Sequence, residues 1–216
     1  MKILKCFGLM IVVALLTSHA TAQRPQWESP DYDAVRDFSG QSNPNGVWSY
    51  GYLETWGAPF TLFPWGGTCD IQGVTLWRIY DCNTESPSLI HNDTSEPVCW
   101  LTLCVPPNYL LLDPRSQLTT LRWVAPSSGR YLMHVMFGGL DWAGPTSTGV
   151  HVLLNSKKSL LSGPITSYAW PLTFTQKGSM TAGDTVDFIV DWGKDADFGY
   201  DSTGLEVKIW KLQEPL

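Results

Sequence analysis

Hydrophobic positions in this chain recur every second residue, in short runs, and almost nowhere with the 3.6-residue period of a helix. In "TVDFIVDW" (185–192), Val186, Phe188 and Val190 share one face of an extended segment and oppose Asp187, Ile189 and Asp191. In "GVHVLLN" (149–155), Val150, Val152 and Leu154 oppose His151 and Leu153. In "GLEVKIWKL" (204–212), Leu205, Val207, Ile209 and Lys211 oppose Glu206, Lys208 and Trp210. "VTLWRIY" (74–80) sets Val74, Leu76, Arg78 and Tyr80 on one side. The same reading predicts strands over 46–52, 98–105, 118–125, 130–137 and 170–176.

Gly, Pro, Asn and Asp clusters separate these runs. "APSSGRY" (125–131) and "MTAGDTV" (180–186) read as tight turns, with Asp184 bonding nearby backbone amides. About ten strands without helical crossovers predict an all-β fold of two packed antiparallel sheets, a β-sandwich of jelly-roll type. Residues 65–113 hold "TESPSLIHNDTSEP", which reads as a surface loop.

The ends of the chain change the picture. Lys2 and Lys5 precede the apolar run "CFGLMIVVALL", and "ATA" ends at Ala22, so 1–22 reads as a signal peptide. Its apolar run is shorter than the ~20 residues of a membrane span, and no later segment suggests one. Cys6 precedes that run, which argues against a lipoprotein. Residues 23–45 read as a polar, Pro-rich and poorly ordered N-terminal arm, and 46–216 as the sandwich domain. The expected location is secreted, periplasmic or at the cell surface.

Without the two signal lysines the chain carries 12 basic and 20 acidic side chains, a formal charge of −8. Nucleic acid and anionic lipid, which need basic patches, are poor partners for it. Four cysteines remain in an oxidising compartment. Disulfides are expected in preference to a zinc site, because no CxxC pair is present. Read as one strand, "CWLTLC" would hold Cys99 and Cys104 ~16 Å apart, too far to bridge. Of the pairings that remain, Cys82–Cys99 with Cys69–Cys104 is the one expected.

A set of phrases then occurs in order: "DFSGQSNPNGVWSYGY", "VPPNYLLLDP", "LRWVAPSSGRY", "GLDWAGPTSTGVHVLLN" and "MTAGDTVDFIV…GYDSTGL". Together, over about residues 37–210, they resemble a bacterial extracellular jelly-roll module, similar to carbohydrate-binding modules. Such modules occur in large secreted proteins and in proteins with a PEP-CTERM-type sorting tail. The resemblance implies the fold and a glycan partner, without a settled biochemical role. Here the sequence ends at "KLQEPL" instead of a sorting segment, and the stretch 69–104 is more elaborate than the usual pattern.

Candidate chemistry follows from the eleven tryptophans. Sugars stack their C–H faces on flat aromatic rings, and neighbouring polar groups fix their orientation. Trp48, Trp77, Trp100 and Trp123 lie inside predicted strands and read as core. Trp142, Trp192 and Trp65 lie in turns or at strand ends and are the ligand candidates, with Asp141 and Asp191 beside them. Asp195, Asp197 and Asp201, in a loop with Gly193 and Gly199, are candidate Ca²⁺ ligands, because Ca²⁺ takes six to eight oxygens. The competing reading is a hairpin loop rich in Asp and Gly.

His134 and His151 are mid-strand; neither they nor His91 have catalytic-metal spacing, and no GxSxG motif appears. "NDT" at 92–94 fits the N-glycosylation pattern without further support. The function expected is a non-catalytic, carbohydrate-binding module whose partner is a glycan or cell-surface polysaccharide. A structural or adhesive protein-interaction module is the alternative, and a glycan hydrolase comes third.

Overall fold

The computed structural model describes residues 29–168, 170–195 and 197–213. The expected signal peptide and the first part of the arm lie outside the described residues. Among the described residues there is no helix, and hence none long and apolar enough to cross a membrane.

Among the described residues, sixteen strands follow in chain order. The first eight are β1 (Tyr32–Asp33), β2 (Trp48–Leu53), β3 (Phe60–Leu62), β4 (Trp65–Gly67), β5 (Val74–Arg78), β6 (Ser88–Asn92), β7 (Val98–Trp100) and β8 (Leu103–Val105). The rest are β9 (Leu110–Asp113), β10 (Leu118–Val124), β11 (Gly129–Gly139), β12 (Gly149–Leu154), β13 (Lys158–Pro164), β14 (Leu172–Met180), β15 (Thr185–Asp191) and β16 (Thr203–Leu212). One sheet runs β14-β11-β16-β9-β6-β5-β4, with β1 added beside β16, and the other runs β13-β12-β15-β10-β2-β3. All pairs are antiparallel, and β7 and β8 form a separate hairpin. This is the expected all-β sandwich of jelly-roll type.

The alternation read from sequence sets the core. Val186, Phe188 and Val190 of β15 and Val150 and Val152 of β12 are fully buried, facing Val135 and Phe137 of β11 and Leu205, Val207 and Ile209 of β16. Burying side chains of this size stabilises the fold by ~1.5–3 kcal/mol each. The polar face of β15 is buried as well. Leu53, Leu118, Phe60, Leu153 and Trp192 close over Ile189. Asp187 is satisfied by Arg122, whose Nε and Nη2 reach its two oxygens at 2.6 and 2.9 Å, and by the Ser156 hydroxyl at 2.9 Å.

Three expectations need correction. Residues 98–105 are not one strand: Leu101 adopts φ 50°, and the chain reverses over Leu101 and Thr102. Cys99 and Cys104 become cross-strand partners with Cα atoms 4.1 Å apart, and they are bonded to each other. The pairs Cys82–Cys99 and Cys69–Cys104 are therefore wrong; the bridges are Cys69–Cys82 and Cys99–Cys104.

The described part of the arm is docked. Tyr32 pairs with Ile209, Ala34 is buried, and Asn43 donates from Nδ2 to the carbonyls of Tyr50 and Phe63 while accepting from the Tyr50 amide. Asn43 thereby ties the arm to the backbone of β2 and of the β3–β4 link.

"TESPSLIHNDTSEP" contains β6, which lies between β5 and β9. Asn92 of the "NDT" triplet is 2% exposed and donates to the carbonyls of Glu96 and Val105, so it is a structural residue.

Candidate functional site: the loop-rich end of the sandwich

The strand registers assign each connection to an end of the sandwich. Leu53 pairs with Leu118, Asp113 with Ser88, Ser88 with Arg78, and Thr203 with both Leu112 and Gly139. Asp191 pairs with Gly149, and Gly149 with Pro164. Connections 54–59, 79–87, 114–117, 140–148, 165–171 and 192–202 therefore share one end. Tight turns at 125–128, 155–157 and 181–184 share the other. In the last of these, Asp184 accepts from the Thr181 amide and the Asn155 amide side chain, as a turn residue does.

The two ends differ in chemistry. Trp56, Tyr80, Trp142, Tyr168, Trp170, Phe198 and Tyr200 are all exposed, and all lie on the first set of loops. Leu101, 96% exposed at the tip of the β7–β8 hairpin, joins them: the Trp142 amide donates to the Thr102 carbonyl beside it. The opposite turns expose no large hydrophobic side chain among the described residues. Scattered exposed hydrophobics are ordinary, whereas their collection on one end marks an interaction surface.

A hollow of about 310 Å³ opens at this end, lined by Tyr80, Glu85, Pro87, Arg115, Ser116, Gln117 and Phe198. Arg115 organises it. Its guanidinium lies over the Phe198 ring, 4.7 Å from the centroid. Nε contacts Glu85 Oε1 at 3.1 Å, and Nη1 contacts Asp113 Oδ1 at 2.9 Å. Burial pushes the Asp113 carboxyl up, although Arg115 and the Ser202 hydroxyl oppose that shift. Gln117 donates to Glu54 Oε1 at 3.2 Å, which links the hollow to the loop carrying Trp56.

Each disulfide braces a loop at this end. Cys82 lies in the loop that presents Tyr80 and is tied to Cys69, whose Sγ also meets Arg78 Nη1. Cys99–Cys104 closes the hairpin against which Asp141 and Trp142 sit, and Thr102 donates to Asp141 Oδ2 at 3.0 Å.

The expected site residues are dispersed. Trp142 is 60% exposed, and Asp141 beside it shapes the local turn by accepting from the Ala143 amide. Trp192 packs over Ile189 on the outer face of one sheet, and Trp65 packs beside Val74 and Leu76 on the outer face of the other. Those two tryptophans cannot meet at one ligand, because the sandwich lies between them.

Among the described residues the three candidate Ca²⁺ ligands do not converge, and no three His, Cys, Asp or Glu side chains group as a metal site. Asp195 accepts from the Ser147 hydroxyl at 2.6 Å, and Asp197 accepts from the Gly199 amide. Asp201 is fully buried. Its Oδ1 accepts from Thr146 Oγ1, the Ser147 amide and Thr148 Oγ1, while Oδ2 is buried without a partner. Burial pushes its carboxyl up. Asp195 and Asp201 pin the 192–202 loop to the 140–148 loop, while Asp197 shapes the loop itself.

Asp191 belongs to a different constellation. Its Oδ1 accepts from the Gly149 and Gly193 amides at 3.1 and 2.7 Å, and its Oδ2 meets His151 Nε2 at 3.1 Å. A Cβ at position 149 would fall 2.2 Å from Asp191 Oδ1, so glycine makes room for the carboxylate. Burial pushes the Asp191 carboxyl up, but His151 and the two amides outweigh it and hold the pKa below the ordinary value. The other ring nitrogen of His151 meets Ser162 Oγ at 2.9 Å, and Trp56 packs edge-on against the ring. His134 lies on the other sheet, paired with Thr175 Oγ1 at 2.9 Å, so the two mid-strand histidines are apart.

Sequence reasoning missed Tyr80, Glu85, Arg115 and Phe198. The available signal was Phe198 between loop aspartates and glycine, together with Tyr80 immediately before "DCN".

No protein-family model matches the chain, and no curated protein matches it. Solved structures give partial likenesses. A family 35 carbohydrate-binding module from an environmental isolate is 13% identical with TM-score 0.28, over 42% of this chain and 64% of that one. The chain thus spans just under two thirds of that module. CBM51 from Clostridium perfringens GH95, in complex with methyl-galactose, is 13% identical with TM-score 0.37, over 74% of this chain and 99% of that chain. Pika GITRL is 16% identical with TM-score 0.28, over 44% and 76%.

Proposed function

We propose that the protein is an exported carbohydrate-binding module whose glycan site, at the loop-rich end, is non-catalytic. The observation that carries this reading is the hollow framed by Tyr80 and Phe198. It offers exposed aromatic rings, and Arg115, Glu85, Ser116 and Gln117 surround them with donors and acceptors suited to sugar hydroxyls. Bracing by two disulfides and by the Asp201 network suits a binding surface, because loops already ordered lose less entropy on binding. Arg115 is matched by Asp113 and Glu85, so the hollow favours a neutral sugar over an anionic one.

The test is a glycan array probed with the mature protein, with and without EDTA. This reading expects saturable binding to a defined set of neutral glycans, unchanged by EDTA. Binding abolished by EDTA would instead support the Ca²⁺ reading of Asp195, Asp197 and Asp201. A protein partner is the second reading, favoured by the spread of exposed aromatics beyond the hollow to Trp142, Trp170 and Leu101. Silence on the array, together with a saturable protein partner lost on Trp142→Ala, would select it.

A further inference from the structure

The outer face of the sheet containing β12, β13 and β15 carries a hydroxyl, an imidazole and a carboxylate in hydrogen-bonded sequence. Ser162 Oγ meets His151 Nδ1 at 2.9 Å, and His151 Nε2 meets Asp191 Oδ2 at 3.1 Å. The polarity is consistent along the chain of contacts. An ionised Asp191, held by two backbone amides, accepts only; Nε2–H then donates to it, and Nδ1 is left to accept the Ser162 proton. This arrangement contains the nucleophile, base and orienting group that acyl transfer requires.

The sheet register builds the arrangement. The Ile165 amide donates to the Thr148 carbonyl at 2.8 Å, which makes Thr148–Ile165 and Val150–Gly163 the hydrogen-bonded pairs. His151 and Ser162 are then a non-hydrogen-bonded pair, in which facing side chains come closest. Because β13 is the outermost strand, the same parity turns the Ser162 amide toward the free edge. There it is a backbone donor next to the Ser162 hydroxyl. His151 and Asp191 are mostly shielded, whereas Ser162 is exposed.

We propose that Ser162, His151 and Asp191 form a second functional site, separate from the hollow at the loop-rich end, that hydrolyses short-chain esters carried on extended substrates. His151 Nδ1 takes the Ser162 proton as Oγ bonds to the ester carbonyl carbon. The carbon–alkoxy bond then breaks, and His151 returns the proton to the departing alcohol. Water, deprotonated by the same nitrogen, attacks the acyl-serine, releasing the carboxylic acid and restoring Ser162. The Ser162 amide faces the developing oxyanion, and Trp56 flanks the base with an exposed ring. An open strand edge suits a small acyl group on a large chain better than a long acyl tail.

The mature protein is treated with a fluorophosphonate probe and, separately, with 4-nitrophenyl acetate and 4-nitrophenyl octanoate. The expected result is one label per chain, mapped by peptide mass spectrometry to Ser162, and turnover of the acetate in preference to the octanoate. Ser162→Ala and His151→Ala should each lower the acetate rate by at least about 100-fold, the usual scale for losing a nucleophile or its base. An unlabelled Ser162 in the wild-type protein overturns the proposal, as does an acetate rate unchanged in Ser162→Ala. Neither result depends on glycan binding at the hollow.

Discussion

Arg115 lies over the ring of Phe198, its guanidinium carbon 4.7 Å from the centroid. A contact of this kind at a partly exposed site is worth ~0.5–1 kcal/mol. Such a gain is small beside that of core burial, so its main consequence is positional: it holds one face of Phe198 and leaves the ring standing at the hollow.

Arg115 also neutralises Asp113. Burial raises the Asp113 carboxyl even with that guanidinium beside it. A carboxyl raised on folding favours the folded state at low pH and loses that contribution as pH rises through its folded pKa. Arg115→Ala is therefore expected to cost ~2 kcal/mol at pH 7, below the full cost of a buried pair because Arg115 is partly exposed. The loss should shrink toward pH 4, because a raised carboxyl takes up its proton earlier as the pH falls and then no longer needs the cation. Urea denaturation at the two pH values measures both.

Asp201 gives a second pH test. Its Oδ2 is buried without a partner, and burial raises its carboxyl. The wild-type protein should lose the Asp201 contribution as pH rises from the ordinary carboxylate range through the raised pKa. Asp201→Asn has no charge to bury there. Relative to wild type, its unfolding free energy should increase with pH across that window, and a flat difference would contradict the assignment.

The disulfides can be mapped and weighed. Non-reducing peptide mapping should return Cys69–Cys82 and Cys99–Cys104. They close loops of 13 and 5 residues, so chain entropy alone gives ~3 and ~2 kcal/mol respectively. Replacing either pair by serine should lower stability by about those amounts. Loss of Cys69–Cys82 should also loosen the Tyr80 loop and weaken ligand binding.

The buried ion pair of Arg122 and Asp187 sets a stability prediction away from either site. Asp187 is fully buried, and Asp187→Ala would leave the guanidinium beneath Phe60 without its anion. Denaturation should show a loss of ~2–3 kcal/mol, below the full cost of a buried pair because Arg122 is partly exposed.

These residues also show where sequence legibility ends. Period-2 alternation located β11, β12, β15 and β16 within a few residues, because one face of each lies on the core. It failed at 98–105, where Leu101 takes a left-handed conformation uncommon for that residue type. That turn alone inverted the disulfide pairing. It failed again at β6, where polar Ser88, His91 and Asn92 sit in a strand: His91 meets Asp93 and stacks on Phe38, and Asn92 donates to the carbonyls of Glu96 and Val105.

The site was only half legible. Loop aromatics signal an exposed surface, yet nothing local shows which of them share an end of the sandwich. Trp65 and Trp192 looked available because they flank turns, but the outer faces of the sheets claimed both. Ser162 and His151 meet through strand register, which no spacing motif encodes.

The most direct test of the glycan-binding account is isothermal titration of the wild-type protein, Tyr80→Ala and Phe198→Ala with the strongest neutral oligosaccharide from the array. Both side chains are substantially exposed, so each variant should keep the wild-type melting temperature within a few degrees. Each should weaken binding by at least about tenfold, or ~1.4 kcal/mol. Unchanged affinity in both folded variants would contradict the placement of the glycan at the hollow.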